Sequence, residues 1–331
     1  MTAQPNYRKT LLACYLGFIT QAISANFAPL LFLTFSDSYG IPLSVVLYAM
    51  GAGLVEVLIS PIVEACPFEN KAGVMSLLHS FYCWGAVGVI LGSTVFFAIF
   101  GLSAWKILAL IWAAVPLLNT VNFLTCPIER LVEEDEGLRP LQLFRLPLFM
   151  LLIVLMICVG ASEATMTQWA SAFTESALGV SKTVGDLVGP CLFAVFMGLA
   201  RVFYGKRGEG LDLVKVMLVC GAMAVVCYLV AALSPVSVVG LIGCALCGLA
   251  VGILWPGTIS VSARSCPKGG TAMFAFLALA GDLGAAVGPT MVGGIAEAVG
   301  GDLKIGLLFA AAFPAALILG LALLLKIRKR G

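Results

Sequence analysis

Apolar stretches of 20 or more residues follow one another along this chain with hardly a pause. Each is long enough to cross a hydrocarbon core of about 30 Å. Soluble chains carry about 25% charged residues; here Asp, Glu, Lys and Arg make up 11% and hydrophobic residues 61%. In lipid every backbone polar group must find its partner within the chain, which restricts spanning structures to helices and closed barrels. The alternating period of a membrane barrel is absent. The expected fold class is therefore an all-α membrane protein crossing the bilayer several times.

Ten spans are expected, over 10–36, 42–64, 72–101, 104–125, 146–173, 185–204, 212–233, 236–262, 271–298 and 303–326. Arg8 and Lys9 place the amino end in the cytoplasm, and no small-residue cleavage pattern follows, so no removable signal peptide is expected. With alternation from there, 16 of the 19 Lys and Arg residues fall on the cytoplasmic side and only Lys106, Lys182 and Lys304 outside. This is a strong positive-inside pattern. The net charge of +2, scattered over short loops, carries no nucleic-acid signal. The acidic stretch near Glu129 to Glu136 marks a cytoplasmic linker over 126–145. It divides a front bundle, 1–125, from a rear bundle, 146–331.

Within the front bundle, two spans form a hairpin turning at Ala65-Cys66-Pro67-Phe68-Glu69-Asn70. Glu56 precedes Glu64 by eight residues and His79, the one histidine of the chain, follows Lys71 by eight. At 1.5 Å per helical residue both lie about 12 Å above the same membrane face. An ionisable group at that depth is expensive and faces protein or a wet cavity rather than lipid. A carboxyl group there can carry a proton at neutral pH and exchange it with either side. Equal depth permits Glu56 and His79 to meet but does not establish that they face each other.

The chain also resembles itself. At an offset of 200, Ile59-Ser60, Cys66-Pro67, Ala72, Leu77 and Ala86-Val87-Gly88 recur as Ile259-Ser260, Cys266-Pro267, Ala272, Leu277 and Ala286-Val287-Gly288. These nine identities in 30 positions superpose two hairpins of the same topology, as in transporters built from parallel repeats. The front half is then short by about 60 residues, two spans and a loop. The expected junction is Tyr39-Gly40-Ile41-Pro42-Leu43-Ser44.

Taken together, these residues resemble the major facilitator superfamily, and within it the fucose-permease-like sugar:proton symporters. Gly51-Ala52-Gly53-Leu54-Val55-Glu56 with Pro61 is similar to the family's fourth helix, and Ser76-Leu77-Leu78-His79-Ser80-Phe81-Tyr82-Cys83-Trp84-Gly85 to its fifth. Val159-Gly160-Ala161-Ser162-Glu163 with Gln168-Trp169 is similar to the seventh, and Gly198 to Lys206 to the loop after the eighth. The resemblance implies a two-bundle helical transporter of about ten spans, four and six, instead of twelve. Helices two and three are missing, and with them the cytoplasmic Gly/Asp/Arg motif. The acid that fucose permeases carry in helix one is absent, the matching region reading Asn26-Phe27-Ala28-Pro29. The amides expected in helix five are replaced around His79 and Tyr82.

The candidate proton-coupling residues are Glu56, His79 and Asp282, the last in the glycine-rich Ala280-Gly281-Asp282-Leu283-Gly284. Candidate substrate contacts are Glu163, Gln168, Trp169, Gln21, Asn26, Tyr82 and Trp255, since an acid, amides and aromatic planes suit a polyhydroxy ligand. Interhelical bonding is the structural alternative at each. Arg201, Gly205 and Lys206 are expected in a gating loop at a cytoplasmic end. The chain lacks a phosphate-binding loop, a metal-ligand cluster and a nucleophile triad, so neither an enzyme nor an ATP-driven pump is expected, and no cofactor or metal. Cys244 and Cys247, in Gly-Cys-Ala-Leu-Cys-Gly, suit close helix packing better than redox chemistry. The expected partners are a small-molecule substrate, H+ and the bilayer of a cell membrane. Three readings stay open: a proton-coupled sugar transporter, an exporter of drugs or metabolites, and an internally deleted protein that does not transport.

Overall fold

In the computed structural model, residues 5–30, 43–133 and 136–329 are described. All regular structure among them is helical. In chain order the helices are α1 (Tyr7–Leu30), α2 (Leu43–Ala65), α3 (Lys71–Phe100), α4 (Trp105–Thr125), α5 (Pro147–Leu178), α6 (Lys182–Arg207) and α7 (Leu213–Leu233). They continue with α8 (Ser237–Val251), α9 (Leu254–Ser265), α10 (Gly270–Ala298), α11 (Leu303–Ala310) and α12 (Ala312–Arg328), with a single turn at Pro140–Leu143. Because α8 with α9, and α11 with α12, each make one broken span, ten segments among the described residues are long and apolar enough to cross a membrane. The protein is thus an all-α, multi-pass membrane protein. The expected junction at Tyr39 to Ser44 lies outside the described residues as far as Pro42.

The chain forms two compact units, one of residues 1–69 and 78–131, the other of 70–77 and 132–331. In the first, α1 packs on α2 and α4. Small residues let backbones approach, as is usual where lipid gives no hydrophobic drive to association. Gly17 of α1 receives the Ile59 side chain, and Gly85 of α3 lies against Ile19 and Ala22. Polar ties add direction: the Asn119 Nδ2 amide donates to the Ala13 carbonyl at 3.0 Å and Trp112 Nε1 donates to Ser93 Oγ at 3.3 Å. Of α4 only Leu108 and Asn119 are buried, while Leu110, Leu117 and Leu124 are exposed, the outward apolar face that a bilayer requires.

In the second unit, α5 and α10 share the broadest helix contact. Its cause is a stripe of glycines. A Cβ on Gly160 would strike the Gly281 carbonyl, one on Gly284 the Ile157 carbonyl, and one on Gly288 the Thr165 hydroxyl. Gly248 meets the Phe193 backbone in the same way on the α8–α6 side. Tyr228 of α7, fully buried, donates its hydroxyl to the Ser162 carbonyl at 2.8 Å. The C-x-x-C cysteines Cys244 and Cys247 are free and buried within α8.

The sequence repeat has a structural counterpart at the helix ends. The α2 helix stops at Ala65 and α9 at Ser265, while α3 starts at Lys71 and α10 at Gly270. Each turn carries the Cys-Pro pair, whose proline lacks the N–H needed to continue a helix.

Candidate functional site

Inside the first unit, three apolar helices bring a few polar side chains together. Glu56 lies nine residues before the end of α2 and His79 eight residues into α3, which keeps both near 12 Å of helix rise from the turn. Gln21 of α1 donates its Nε2 amide to Glu56 Oε2 at 2.6 Å. Ser60, one helical turn beyond Glu56 and so on the same face of α2, has its Oγ 3.4 Å from His79 Nε2. Gln21, Ser60 and His79 are all buried, and Glu56 is half-buried. Aromatic rings close around them: Phe18 lies 4.5 Å from the His79 ring, and Tyr15 stacks on Phe81 at 4.0 Å. The Gln21 Oε1 atom is buried with no hydrogen-bond partner among the described residues.

This arrangement can serve either protonation state of a carboxyl group. A Gln amide donates N–H to a carboxylate; turned over, it offers its oxygen to a carboxylic acid. The nearby hydroxyl and imidazole each act as donor or acceptor. Of the other front-bundle candidates, Asn26 gives its amide back to the Ala22 carbonyl of its own helix at 2.8 Å. Tyr82 is half-buried, three residues beyond His79.

Inside the second unit the central polar feature is an ion pair. Arg201 of α6, 2% exposed, places Nη2 3.1 Å from Glu163 Oε2, whose side chain is 16% exposed. Its Nε donates to the Gly252 carbonyl at 2.8 Å. That carbonyl stands at the break between α8 and α9. One guanidinium therefore ties α5, α6 and the α8–α9 break together, a use of its several fixed donors that lysine could not copy. The expected gating loop is helical: α6 continues to Arg207, so Arg201, Gly205 and Lys206 are all helical, and of the three Lys206 is exposed. Arg201 thus lies inside the bundle, where Glu163 and the Gly252 carbonyl supply partners for its guanidinium.

The remaining rear candidates are spread out. Trp169 Nε1 donates to the Pro289 carbonyl at 3.1 Å, and its ring lies against Gly293. Trp255 is half-buried with its ring against Gly281. Gln168 is exposed, and so is Asp282, on the side of α10 away from the glycine stripe. Sequence reasoning did not single out Ser60, although its i+4 spacing from Glu56 and its place in the repeat were the signals available. Arg201, expected in a gating loop, sits six residues before the end of its helix.

No protein-family profile and no curated protein matches the sequence. Solved structures do match. A variant of the E. coli fucose:proton symporter FucP superposes with a TM-score of 0.72 at 16% identity, over 95% of this chain and 83% of that one. The fold is the one seen in FucP, itself a major facilitator superfamily transporter. The human organic anion transporter TETRAN follows with a TM-score of 0.68 at 17% identity, over 95% of this chain and 82% of that one. A bacterial homologue of the iron transporter ferroportin, outward-facing, gives 0.63 at 16%, over 97% and 83%. The ten spans among the described residues fit a version of this fold without its second and third helices.

Proposed function

We propose that the protein is a secondary transporter that moves a small polar solute of the sugar class across a cell membrane by alternating access, with proton coupling through Glu56. The observation that carries this reading is the Gln21–Glu56 contact, backed by Ser60 and His79, inside a bundle of largely apolar helices. A carboxyl group that meets an amide there has a partner for both its charged and its neutral form. The resemblance of the fold to a fucose:proton symporter supports the sugar class and the proton. Gln21, Tyr82, Trp169 and Trp255 are the candidate substrate contacts, while Glu163 serves as the counter-ion of Arg201. The basic-residue pattern supports cytoplasmic ends for both termini.

Counterflow in proteoliposomes tests the substrate class. With an unlabelled monosaccharide inside, the same labelled sugar is expected to enter and accumulate transiently for at least one member of a broad panel. Extrusion of organic dyes without sugar counterflow would favour an exporter. Absence of all counterflow, and of any ligand-induced thermal stabilisation, would mean that the protein does not transport.

A further inference from the structure

We propose that the second unit carries a binding site for the phosphate headgroup of an anionic phospholipid, in a cavity of about 320 Å³ where the first turn of α7 meets the last turns of α9 and α12. Lys215, Arg264, Arg328 and Lys329 line it, against one carboxylate, Asp212. That carboxylate is already engaged. Its Oδ1 caps α7 by accepting from the Val214 and Lys215 amides at 3.1 and 3.4 Å, and its Oδ2 stands 3.8 Å from Lys215 Nζ. The side chains of Arg264, Arg328 and Lys329 enter no ion pair among the described residues. Like charges converging on one cavity repel each other, and an anion between them removes that cost.

Three features favour a lipid over a soluble anion. The cavity lies at the ends of membrane spans, at the level where headgroups sit. Its wall is partly apolar, with Leu213, Val261 and Leu325 beside the cations, which suits a glycerol ester and the start of an acyl chain but offers nothing to free phosphate. It also lies on the side where basic residues concentrate, read as cytoplasmic, the leaflet richer in anionic lipid. Its volume is at the lower end of small-molecule pockets, adequate for a phosphodiester headgroup. Because α7 is capped by Asp212, the anion would be held by side chains rather than by the helix N-terminus. The inference needs only the membrane fold and does not depend on what is transported.

The test is native mass spectrometry of the full chain released from nanodiscs of equal phosphatidylglycerol and phosphatidylcholine. Retained phosphatidylglycerol is expected to exceed phosphatidylcholine. The Arg264→Gln/Arg328→Gln double variant is expected to lower phosphatidylglycerol affinity by about an order of magnitude. Arg264→Lys should keep most of the binding, and the control Arg139→Gln/Lys268→Gln, on the same membrane side but outside the cavity, should keep all of it. Absence of enrichment in the wild type, or equal losses in the control, overturns the proposal. Thermal stabilisation by inorganic phosphate that requires Arg264 and Arg328, without lipid enrichment, assigns the cavity to a soluble anion and overturns the lipid.

Discussion

Two half-buried glutamates, Glu56 and Glu163, have different neighbours, and the neighbours set what each can do. Glu163 faces the guanidinium of Arg201, itself fixed by the Gly252 carbonyl. Breaking such a pair strands a buried charge, at a typical cost of about 3–5 kcal/mol, while replacing both members with apolar side chains recovers most of that. Glu163→Gln is therefore expected to lower the thermal midpoint in detergent strongly, and Glu163→Met/Arg201→Met to regain much of it. Equal loss in single and double variants would contradict the pairing. Glu56 is half-buried and accepts from the Gln21 amide, so Glu56→Gln is expected to cost less stability than Glu163→Gln. Glu56 and His79 could be found from sequence because an ionisable residue in a 20-residue apolar run is conspicuous. Their pairing with Gln21 and Ser60 could not, because it depends on helix rotation that spacing alone does not determine.

Among elements, the α5–α10 contact rests on missing side chains. Gly160, Gly284 and Gly288 each abut backbone or side-chain atoms that a Cβ would strike, whereas Gly294, on the same α10, has open space. Gly284→Val should destabilise by roughly 1–3 kcal/mol or more, the usual range for overpacking. Gly294→Ala should be neutral or stabilising by about 0.5–1 kcal/mol, since alanine favours a helix over glycine. Thermal unfolding in detergent checks both, and equal effects would contradict the stripe. The glycine pattern of α10 is plain in the sequence, as are the span boundaries, because both follow from composition over many residues. The breaks at Gly252 and Ala311 follow from Pro256 and Pro314, each of which removes the helical hydrogen bond to the carbonyl four residues before it, Gly252 and Ala310.

At the scale of the molecule, the offset of 200 joins a sequence repeat to matched helix ends, Ala65 with Ser265. Glu56 and His79 have no counterparts in the rear copy, where Pro256 and Leu279 occupy those positions. This asymmetry confines the proposed proton site to one unit. The alternation of charge predicts that alkaline phosphatase fused after Gly300 will be active and after Gly208 inactive, as for outer and cytoplasmic positions; the reverse would invert the topology. The most direct test of proton coupling is uptake of the counterflow-positive sugar into proteoliposomes under an imposed inward proton gradient, for wild type and Glu56→Gln. The account predicts gradient-driven accumulation by the wild type, and by Glu56→Gln only exchange without accumulation. Uptake indifferent to the gradient, or undiminished accumulation in Glu56→Gln, would contradict it.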